Sequence, residues 1–192
     1  MANWCSFNVV IYGDREEATA FYRKAKNAMA NGKEKGEYDT YCLYEEHNFK
    51  KDFILSMHSN YIGGTIEQMD EPKFDGKDWY LSIYLETRWA PMIDGFDLML
   101  EQYKTLKAVY LAEECGAEIY FNTDEEHRFF KVKYCIYEDD IGSEYFDTDE
   151  EFINFMKDTF NIEISSIDDL ADDDEIEYKG DNTINFHRFI NA

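Results

Sequence analysis

The chain has 192 residues, of which 44% are hydrophobic and 17% aromatic, and its formal net charge at pH 7 is −23. This apolar content excludes a disordered acidic tail, and the length fits one domain or one domain with an appendage. Because affinity for phosphates depends on Lys and Arg, the charge also argues against direct binding to nucleic acid.

The N-terminal residues predict a strand followed by an amphipathic helix. Trp4 to Tyr12 is rich in β-branched and aromatic residues, and Gly13 closes the predicted strand. Asp14 is typical of a helix N-cap, because its side chain can accept a backbone amide hydrogen bond. Apolar residues recur at helical spacing from Ala18 to Met29, and the pair Asn31-Gly32 predicts the end of the helix.

Aromatic and β-branched residues predict three further strands. Tyr38 to Tyr44 and Phe53 to His58 have this composition, and the pair Gly63-Gly64 predicts a turn after them. Trp79 to Thr87 alternates apolar and polar side chains, which predicts a half-buried strand that ends before Pro91.

The next segment predicts a second helix and a hairpin. The apolar residues of Asp94 to Cys115 fall three and four apart, as in an amphipathic helix, and Gly116 is typical of a helix C-cap. Glu118 to Phe121 and Phe129 to Tyr137 predict two strands, and the polar residues 122–126 between them predict a hairpin turn.

The C-terminal part predicts one helix and a closing pair of strands. Thr148 and Glu151 have the spacing of a capping box, which predicts a helix from there to about Phe160. Ile176 to Tyr178 and Ile184 to Phe189 predict the two strands. The whole order of elements predicts an α+β protein with helices on one face of an antiparallel sheet.

Three short segments carry a resemblance to a known family. They are Trp4-Cys5-Ser6 with Asn8, the run Thr87 to Pro91, and the run Glu113 to Gly116. In these segments the chain resembles the YubB-like family of phage and plasmid proteins, over Met1 to Tyr137. The resemblance implies a ferredoxin-like βαββαβ arrangement without an iron–sulfur cluster, and it implies no catalytic residue. We therefore expect a ferredoxin-like domain over residues 1–137 and an acidic α/β C-terminal extension, packed on it, over residues 138–192.

The sequence has no pattern typical of a cofactor site, a secreted protein or a membrane protein. Its four cysteines are far apart and include no C-x-x-C pair, which predicts reduced thiols in the core. No run of eighteen apolar residues and no signal-peptide pattern occurs. We therefore expect a cytoplasmic protein with no membrane partner and no cofactor.

Metal binding is the main alternative chemistry to test. The runs Glu45-Glu46-His47 and Glu125-Glu126-His127 would build a metal site if the fold united them, but exposed turn histidines explain them equally well. Two acidic stretches fail as calcium loops, because the sixth position of one is Phe152 and the twelfth position of the other is Thr183. We assign no catalytic residue and no metal ligand.

Between Glu138 and Glu177 lie seventeen acidic side chains and one basic one, Lys157. Such a run is usually a solvated face. On rigid strands and helices, however, carboxylates about 6 Å apart can imitate the phosphate rows of a duplex. Aromatic anchors would come from Tyr145, Phe146 and Phe152. The candidate partner-binding residues are Glu138, Asp139, Asp140, Glu144, Tyr145, Phe146, Asp147, Asp149, Glu150, Glu151, Asp168, Asp169, Asp172, Asp173, Asp174, Glu175 and Glu177.

These features predict a non-enzymatic phage or plasmid protein that inhibits a host nuclease by occupying its nucleic-acid channel, as an anti-CRISPR protein. The predicted partner is a Cas9-type effector, with a restriction enzyme next, and the oligomeric state is left open. One alternative is an adaptor or regulatory protein whose acidic face only solvates it and whose function lies on the aromatic sheet or around Trp89. A second alternative is a metal-dependent enzyme that unites the two Glu-Glu-His runs.

Overall fold

In a computed structural model, residues 3–50, 63–170, 174–178 and 182–189 are described. They form an α+β protein with antiparallel sheets. The chain divides into two compact units, Met1–Ile119 and Tyr120–Ala192. In the described ranges, none of the helices is both long enough and apolar enough to cross a membrane.

The first unit is built from strands and helices in mixed order. Its described elements are β1 (Trp4–Gly13), α1 (Arg15–Lys35), α2 (Asp39–Glu46), β2 (Gly64–Met69), β3 (Lys73–Phe74), β4 (Trp79–Arg88), α3 (Ile93–Leu100) and β5 (Lys107–Glu114). A 3-10 turn, Cys115–Ala117, and then β6 (Ile119–Asn122) lead into the second unit.

The sheet of the first unit has the strand order β2-β4-β1-β5, with β3 also paired to β4. Every strand pair of this sheet whose register is described is antiparallel. Phe7 of β1 lies 5.9 Å from Phe96 of α3 and 5.7 Å from Tyr110 of β5, measured between ring centroids. Phe21 of α1 lies 6.4 Å from the same Phe96. Helices α1 and α3 therefore pack on one face of the sheet.

Alternation along the central strands explains this one-sided core. In β1 the side chains of Cys5, Phe7, Val9 and Ile11 are fully buried, and in β4 those of Leu81 to Leu85 alternate in the same way. Alternate residues of a strand point to one face, so these rows meet the helices. Burying one such apolar side chain contributes about 1.5–3 kcal/mol. The predicted strands Trp4 to Tyr12 and Trp79 to Thr87 are confirmed.

Helix α1 begins where the sequence predicts but continues past Gly32. The helix ends at Lys35, and Gly36, with φ 66°, caps it in the left-handed conformation. Gly32 lies against α2, since a Cβ atom there would meet Asp39 Oδ1 at 2.3 Å. The glycine therefore allows a close approach of two helices. The predicted strand Tyr38 to Tyr44 was wrong, because this segment forms α2.

The predicted helix over Asp94 to Cys115 is confirmed for its first two turns and was wrong beyond them. Helix α3 ends at Leu100, and from Lys107 the chain runs as β5, where Val9 of β1 pairs with Tyr110. The carboxylate of Glu17 accepts the backbone amides of Lys104 at 3.0 Å and Thr105 at 2.8 Å, which fixes the connection between the two elements.

Three smaller predictions concern glycines and residues 53–58. Gly116 lies in the 3-10 turn instead of capping a helix, and Gly64 begins β2 instead of forming a turn. The predicted strand Phe53 to His58 lies outside the described residues.

The second unit has its own antiparallel sheet with the strand order β8-β7-β10-β9. Its described elements are β7 (Tyr134–Glu138), β8 (Gly142–Phe146), α4 (Asp149–Phe155) with a following π-helical turn (Met156–Phe160), a 3-10 turn (Ile167–Asp169), β9 (Asp174–Tyr178) and β10 (Asn182–Arg188). The predicted helix after Thr148 and the closing pair of strands are confirmed.

The core of the second unit lies between α4 and one face of this sheet. Phe152 is fully buried, and its ring lies 5.1 Å from Phe186, 5.4 Å from Phe146 and 5.9 Å from Tyr134. The same cluster contains Ile136, Met156, Phe160, Ile167 and Ile184. The boundary predicted between residues 137 and 138 lies inside β7, and the division between the two units comes earlier, at Ile119.

The predicted hairpin of residues 118–121 and 129–137 was wrong. Strand β7 pairs with β8 and β10, and β6 is not a member of this sheet. The connection is a loop held by two buried side chains. Asn122 Nδ2 donates to the carbonyls of Phe130 at 2.9 Å and Val132 at 3.1 Å, and Asp124 Oδ2 accepts the backbone amide of Phe130 at 2.9 Å.

Candidate interaction surface

The acidic segment is distributed over three places in the second unit. Part of it lies in the turn between β7 and β8, part on α4 and the 3-10 turn, and part on the edge strand β9. The candidate residues therefore do not form one continuous row. Which of them are available to a partner depends on burial and on the register of the sheet.

Glu138 is a structural residue of the β7–β8 turn. Its side chain is only 3% exposed, and its Oε2 accepts the backbone amides of Asp140 at 2.8 Å and Ile141 at 3.1 Å. The turn closes at Gly142, which has φ 78° and pairs with Glu138. Glu138 therefore stabilises the turn from inside, whereas Asp139 and Asp140 are exposed at its tip.

Reciprocal capping positions the acids at the start of α4. Thr148 Oγ1 accepts the amide of Glu151 at 3.2 Å, and Glu151 Oε2 accepts the amide of Asp147 at 3.2 Å. Asp149, Glu150 and Glu151 occupy the first turn, where the helix dipole favours each negative charge by about 0.3–1 kcal/mol. These acids therefore have a local structural role in addition to any contact with a partner.

A buried phenol ties strand β7 to the start of α4. Tyr134 donates a hydrogen bond from its hydroxyl to Asp149 Oδ1 at 2.9 Å. Burial, this hydrogen bond and the charges of Asp149 and Asp168 raise the pKa of Tyr134 to about 12. The guanidinium of Arg188 fixes the 3-10 turn, since it donates to the carbonyls of Ile167 and Leu170.

Exposed acids therefore occur along α4, along the turns that follow it and beside them, in the part of the second unit that covers one face of its sheet. We call this group the helix-side acidic surface. All of its members are exposed. They are Asp147, Asp149, Glu150, Glu151, Asp168 and Asp169, together with Asp158 and Glu163, which the sequence analysis left out. Lys157 is the one basic residue in the described stretch 138–170.

The acids of β9 lie on the opposite side of the sheet. Ile176 packs against the core, whereas Glu175 and Glu177 on either side of it are exposed. Their Cα atoms are about 6.8 Å apart, since a strand rises about 3.4 Å per residue. Glu144 lies on β8, at the other edge of the sheet; it pairs with the core residue Ile136, so it is on the side that α4 covers, and it is exposed. Asp174 is the first residue of β9, and Asp172 and Asp173 lie outside the described residues.

The aromatic anchors are placed differently from the prediction. Phe146 and Phe152 are buried in the core of the second unit, so they support the sheet and the helix. Tyr145 is 50% exposed, and Tyr137, which the sequence analysis did not select, is 43% exposed. Tyr137 follows Ile136 in the alternation of β7, but its exposure is hard to predict, because the predicted boundary falls beside it and the sequence predicts no strand at β8.

The two Glu-Glu-His runs do not assemble a metal site. His47 is fully buried; its Nδ1 lies 2.8 Å from the carbonyl of Leu43 and its Nε2 lies 3.0 Å from the hydroxyl of Tyr103. Burial lowers the pKa of His47 to about 4. His127 Nδ1 lies 3.0 Å from the carbonyl of Phe130. No group of three or more His, Cys, Asp or Glu side chains suited to a metal occurs among the described residues.

Trp89, the centre of the adaptor alternative, sits in an unusual backbone conformation. It has φ 68°, a left-handed value that bulky residues rarely adopt, and its amide donates to the carbonyl of Asn3 at 2.9 Å. The ring is 38% exposed. This turn is a second exposed aromatic feature, but it carries no concentration of charge.

The function of this chain is inferred from these surfaces, since no family model, no curated protein and no solved structure matches it.

Proposed function

We propose that this protein is a non-enzymatic inhibitor from a phage or plasmid that occupies the basic nucleic-acid channel of a host defence nuclease. The observation that carries the proposal is the helix-side acidic surface. Its exposed carboxylates lie on a capped helix, which the Tyr134–Asp149 hydrogen bond ties to β7, and on the turns that follow it, of which Arg188 holds the last. Neighbouring side chains on a helix lie about 5–6 Å apart, which suits repeated contacts with Lys and Arg.

Rigidity favours this use of the charges. Binding costs free energy when side chains and loops become ordered, so a surface that is already ordered binds more tightly than a flexible tail of equal charge. The reciprocal hydrogen bonds of Thr148 and Glu151 and the two carbonyl contacts of Arg188 supply this order. The acids steer association, because opposite charges raise the rate of encounter.

The proposal includes the fold and origin of the first unit. A ferredoxin-like arrangement is supported by the antiparallel order β2-β4-β1-β5, with helices after β1 and β4 on one face. Together with the segments Trp4 to Asn8, Thr87 to Pro91 and Glu113 to Gly116, this order supports membership of the YubB-like phage and plasmid proteins. The second unit, from Tyr120 onward, would be the acidic extension that acts on the host protein.

A Cas9-type effector is the proposed target, with a restriction enzyme next. Such an effector holds its RNA–DNA heteroduplex in a positively charged channel and recognises it largely through its backbone. A rigid acidic surface therefore offers the same kind of contact as the nucleic acid. The inhibitor would act from the host cytoplasm, without binding nucleic acid itself.

The test compares two variants that change the net charge equally. The first is Glu150→Gln, Asp158→Asn and Asp169→Asn on the helix-side acidic surface; the control is Glu34→Gln, Glu67→Gln and Glu101→Gln in the first unit. All six side chains are exposed. Binding to a Cas9-type nuclease is measured in competition with target DNA, at low and at physiological salt.

We expect the wild type and the control to displace DNA in a salt-sensitive manner, and the helix-side variant to lose tenfold or more in affinity. Equal affinity of the two variants would instead favour the adaptor alternative, in which the acidic face only solvates the protein. Absence of binding by the wild type would remove this class of target.

A further inference from the structure

The face of the second sheet that α4 does not cover carries two exposed tyrosines. Strand alternation places the described side chains of this face opposite the core residues Ile136, Phe146, Ile184 and Phe186. We call its more exposed half the tyrosine face. It consists of Tyr137, Ser143, Tyr145, Glu175, Glu177, Thr183 and Asn185.

The strand register fixes the layout of the tyrosine face. Tyr137 pairs with Ser143 on one side and with Asn185 on the other, and Asn185 pairs with Glu175. Glu175 is therefore two strands, or about 10 Å, from Tyr137. Tyr145 is the diagonal neighbour of Tyr137, at about 7–8 Å.

The other half of the same face is already covered within the second unit. The ring of Tyr120 stacks on His187, with 4.0 Å between centroids and 11° between planes, and lies 5.8 Å from Phe189. Tyr120 itself is buried. Tyr145 also lies 6.5 Å from Phe189, measured between ring centroids, yet Tyr137 and Tyr145 remain 43% and 50% exposed.

We propose that the tyrosine face docks an extended, arginine-bearing segment of the protein partner. None of its seven side chains is basic, and it combines two aromatic rings with two carboxylates. A guanidinium stacks on a tyrosine ring and also donates paired hydrogen bonds to a carboxylate, whereas the compact ammonium of lysine does neither as well.

The spacing specifies the form of the segment. Alternate residues of an extended chain are about 6.8 Å apart, which equals the spacing of Glu175 and Glu177 and approaches that of the two tyrosines. Arginines at alternate positions would therefore meet the two rings in register when the segment lies over β7 and β8, and the two carboxylates when it lies along β9. This inference rests on the proposed function for the identity of the partner, because nucleic-acid channels carry such arginines, but the contact itself is testable alone.

The experiment uses the full chain and two synthetic peptides of equal charge. One peptide has arginines at alternate positions, and the other has lysines at the same positions. We expect the arginine peptide to bind about tenfold more tightly at equal ionic strength. Tyr137→Thr with Tyr145→Thr should abolish this preference, since Thr suits a strand but has no ring. Tyr137→Phe with Tyr145→Phe should retain it, which separates the ring from a folding defect.

Two results would overturn the proposal: equal affinity of the wild type for both peptides, or an arginine preference that survives the double Thr variant. Failure of the proposed function would look different. It would appear as unchanged displacement of DNA by the helix-side variant, whatever the peptides do. Glu175→Gln with Glu177→Gln should weaken both peptides, and the arginine peptide more.

Discussion

His47 shows how a single buried group affects stability. Its two ring nitrogens face the Leu43 carbonyl and the Tyr103 hydroxyl, and its ring lies 5.0 Å from that of Phe21. Lys24 is the charged group that acts on it, and this positive charge, like burial, lowers the pKa of the imidazole. The folded protein therefore keeps His47 neutral down to a pH of about 4.

This environment makes stability depend on pH. Between the ordinary histidine pKa of about 6.5 and the folded value of about 4, the unfolded chain binds a proton that the folded protein does not. The contribution of His47 is complete above pH 6.5 and is lost as the pH falls towards 4, by up to about 3 kcal/mol. Denaturant unfolding of the wild type and His47→Gln should show a stability difference that shrinks in this window. A constant difference from pH 7 to pH 4 would contradict the assignment.

At the scale of elements, the junction of α1 and α2 depends on one glycine. Replacing a glycine inside an exposed helix by alanine normally stabilises the helix by about 1 kcal/mol. At Gly32 the added methyl group would meet Asp39 Oδ1 at 2.3 Å and the carbonyl of Glu37 at 3.1 Å. Asp39 cannot move freely, because it is buried and its Oδ2 accepts the amide of Ile66 at 3.0 Å.

We therefore expect Gly32→Ala to destabilise the first unit by about 1–3 kcal/mol, the range for an overpacked contact. Thermal unfolding followed by circular dichroism would measure the effect. Ala30→Gly in the same helix is the matched control, and it should cost about 1 kcal/mol from helix propensity alone. A more stable Gly32→Ala variant would show that α1 and α2 do not approach closely in solution.

Sequence periodicity predicts an element correctly where the spacing of its apolar residues fits only one kind of secondary structure. Trp79 to Thr87 alternates cleanly, and the Thr148–Glu151 pair marks a helix start by its own hydrogen bonds. Residues 94–100 form the predicted helix, whereas residues 107–114 continued its spacing by coincidence, and pairing with β1 decided for a strand. Tyr38 to Tyr44 has strand composition, but Thr40 bonds to Gly64 and Asp39 to Ile66, so tertiary contacts favour α2.

The acidic surface was only partly predictable, because tertiary contacts decided this part of the structure as well. Composition identified the acids, but the sheet register decided which side each one faces. Glu138 has the same charge as Asp139, yet it turns inward to bind two amides. Tyr137 was missed because its exposure depends on β8, a short strand in which only Phe146 is buried.

At the scale of the whole molecule, the net charge of −23 destabilises the folded state, whereas it would favour binding to a basic partner. Like charges on the helix-side acidic surface repel one another and destabilise the folded state. Raising salt from about 10 mM to about 150 mM shortens the Debye length from about 30 Å to about 8 Å. Screening relieves the repulsion, and it equally weakens attraction to a basic partner.

We therefore expect added salt to raise the melting temperature by a few degrees while it lowers the affinity for the proposed partner. Differential scanning calorimetry and the DNA competition assay over the same salt series would measure both. The variant Glu150→Gln, Asp158→Asn and Asp169→Asn should gain less stability from salt than the wild type. A melting temperature that falls with salt would mean that the surface charges are mutually stabilising.

Strand β9 lies at the edge of the second sheet and carries Glu175 and Glu177. An edge strand presents unpaired backbone groups that recruit strands from other molecules, and charged side chains are a common protection against aggregation. The two glutamates therefore keep sheets of neighbouring molecules apart at high concentration. A variant without both charges should therefore associate at concentrations at which the wild type stays dispersed.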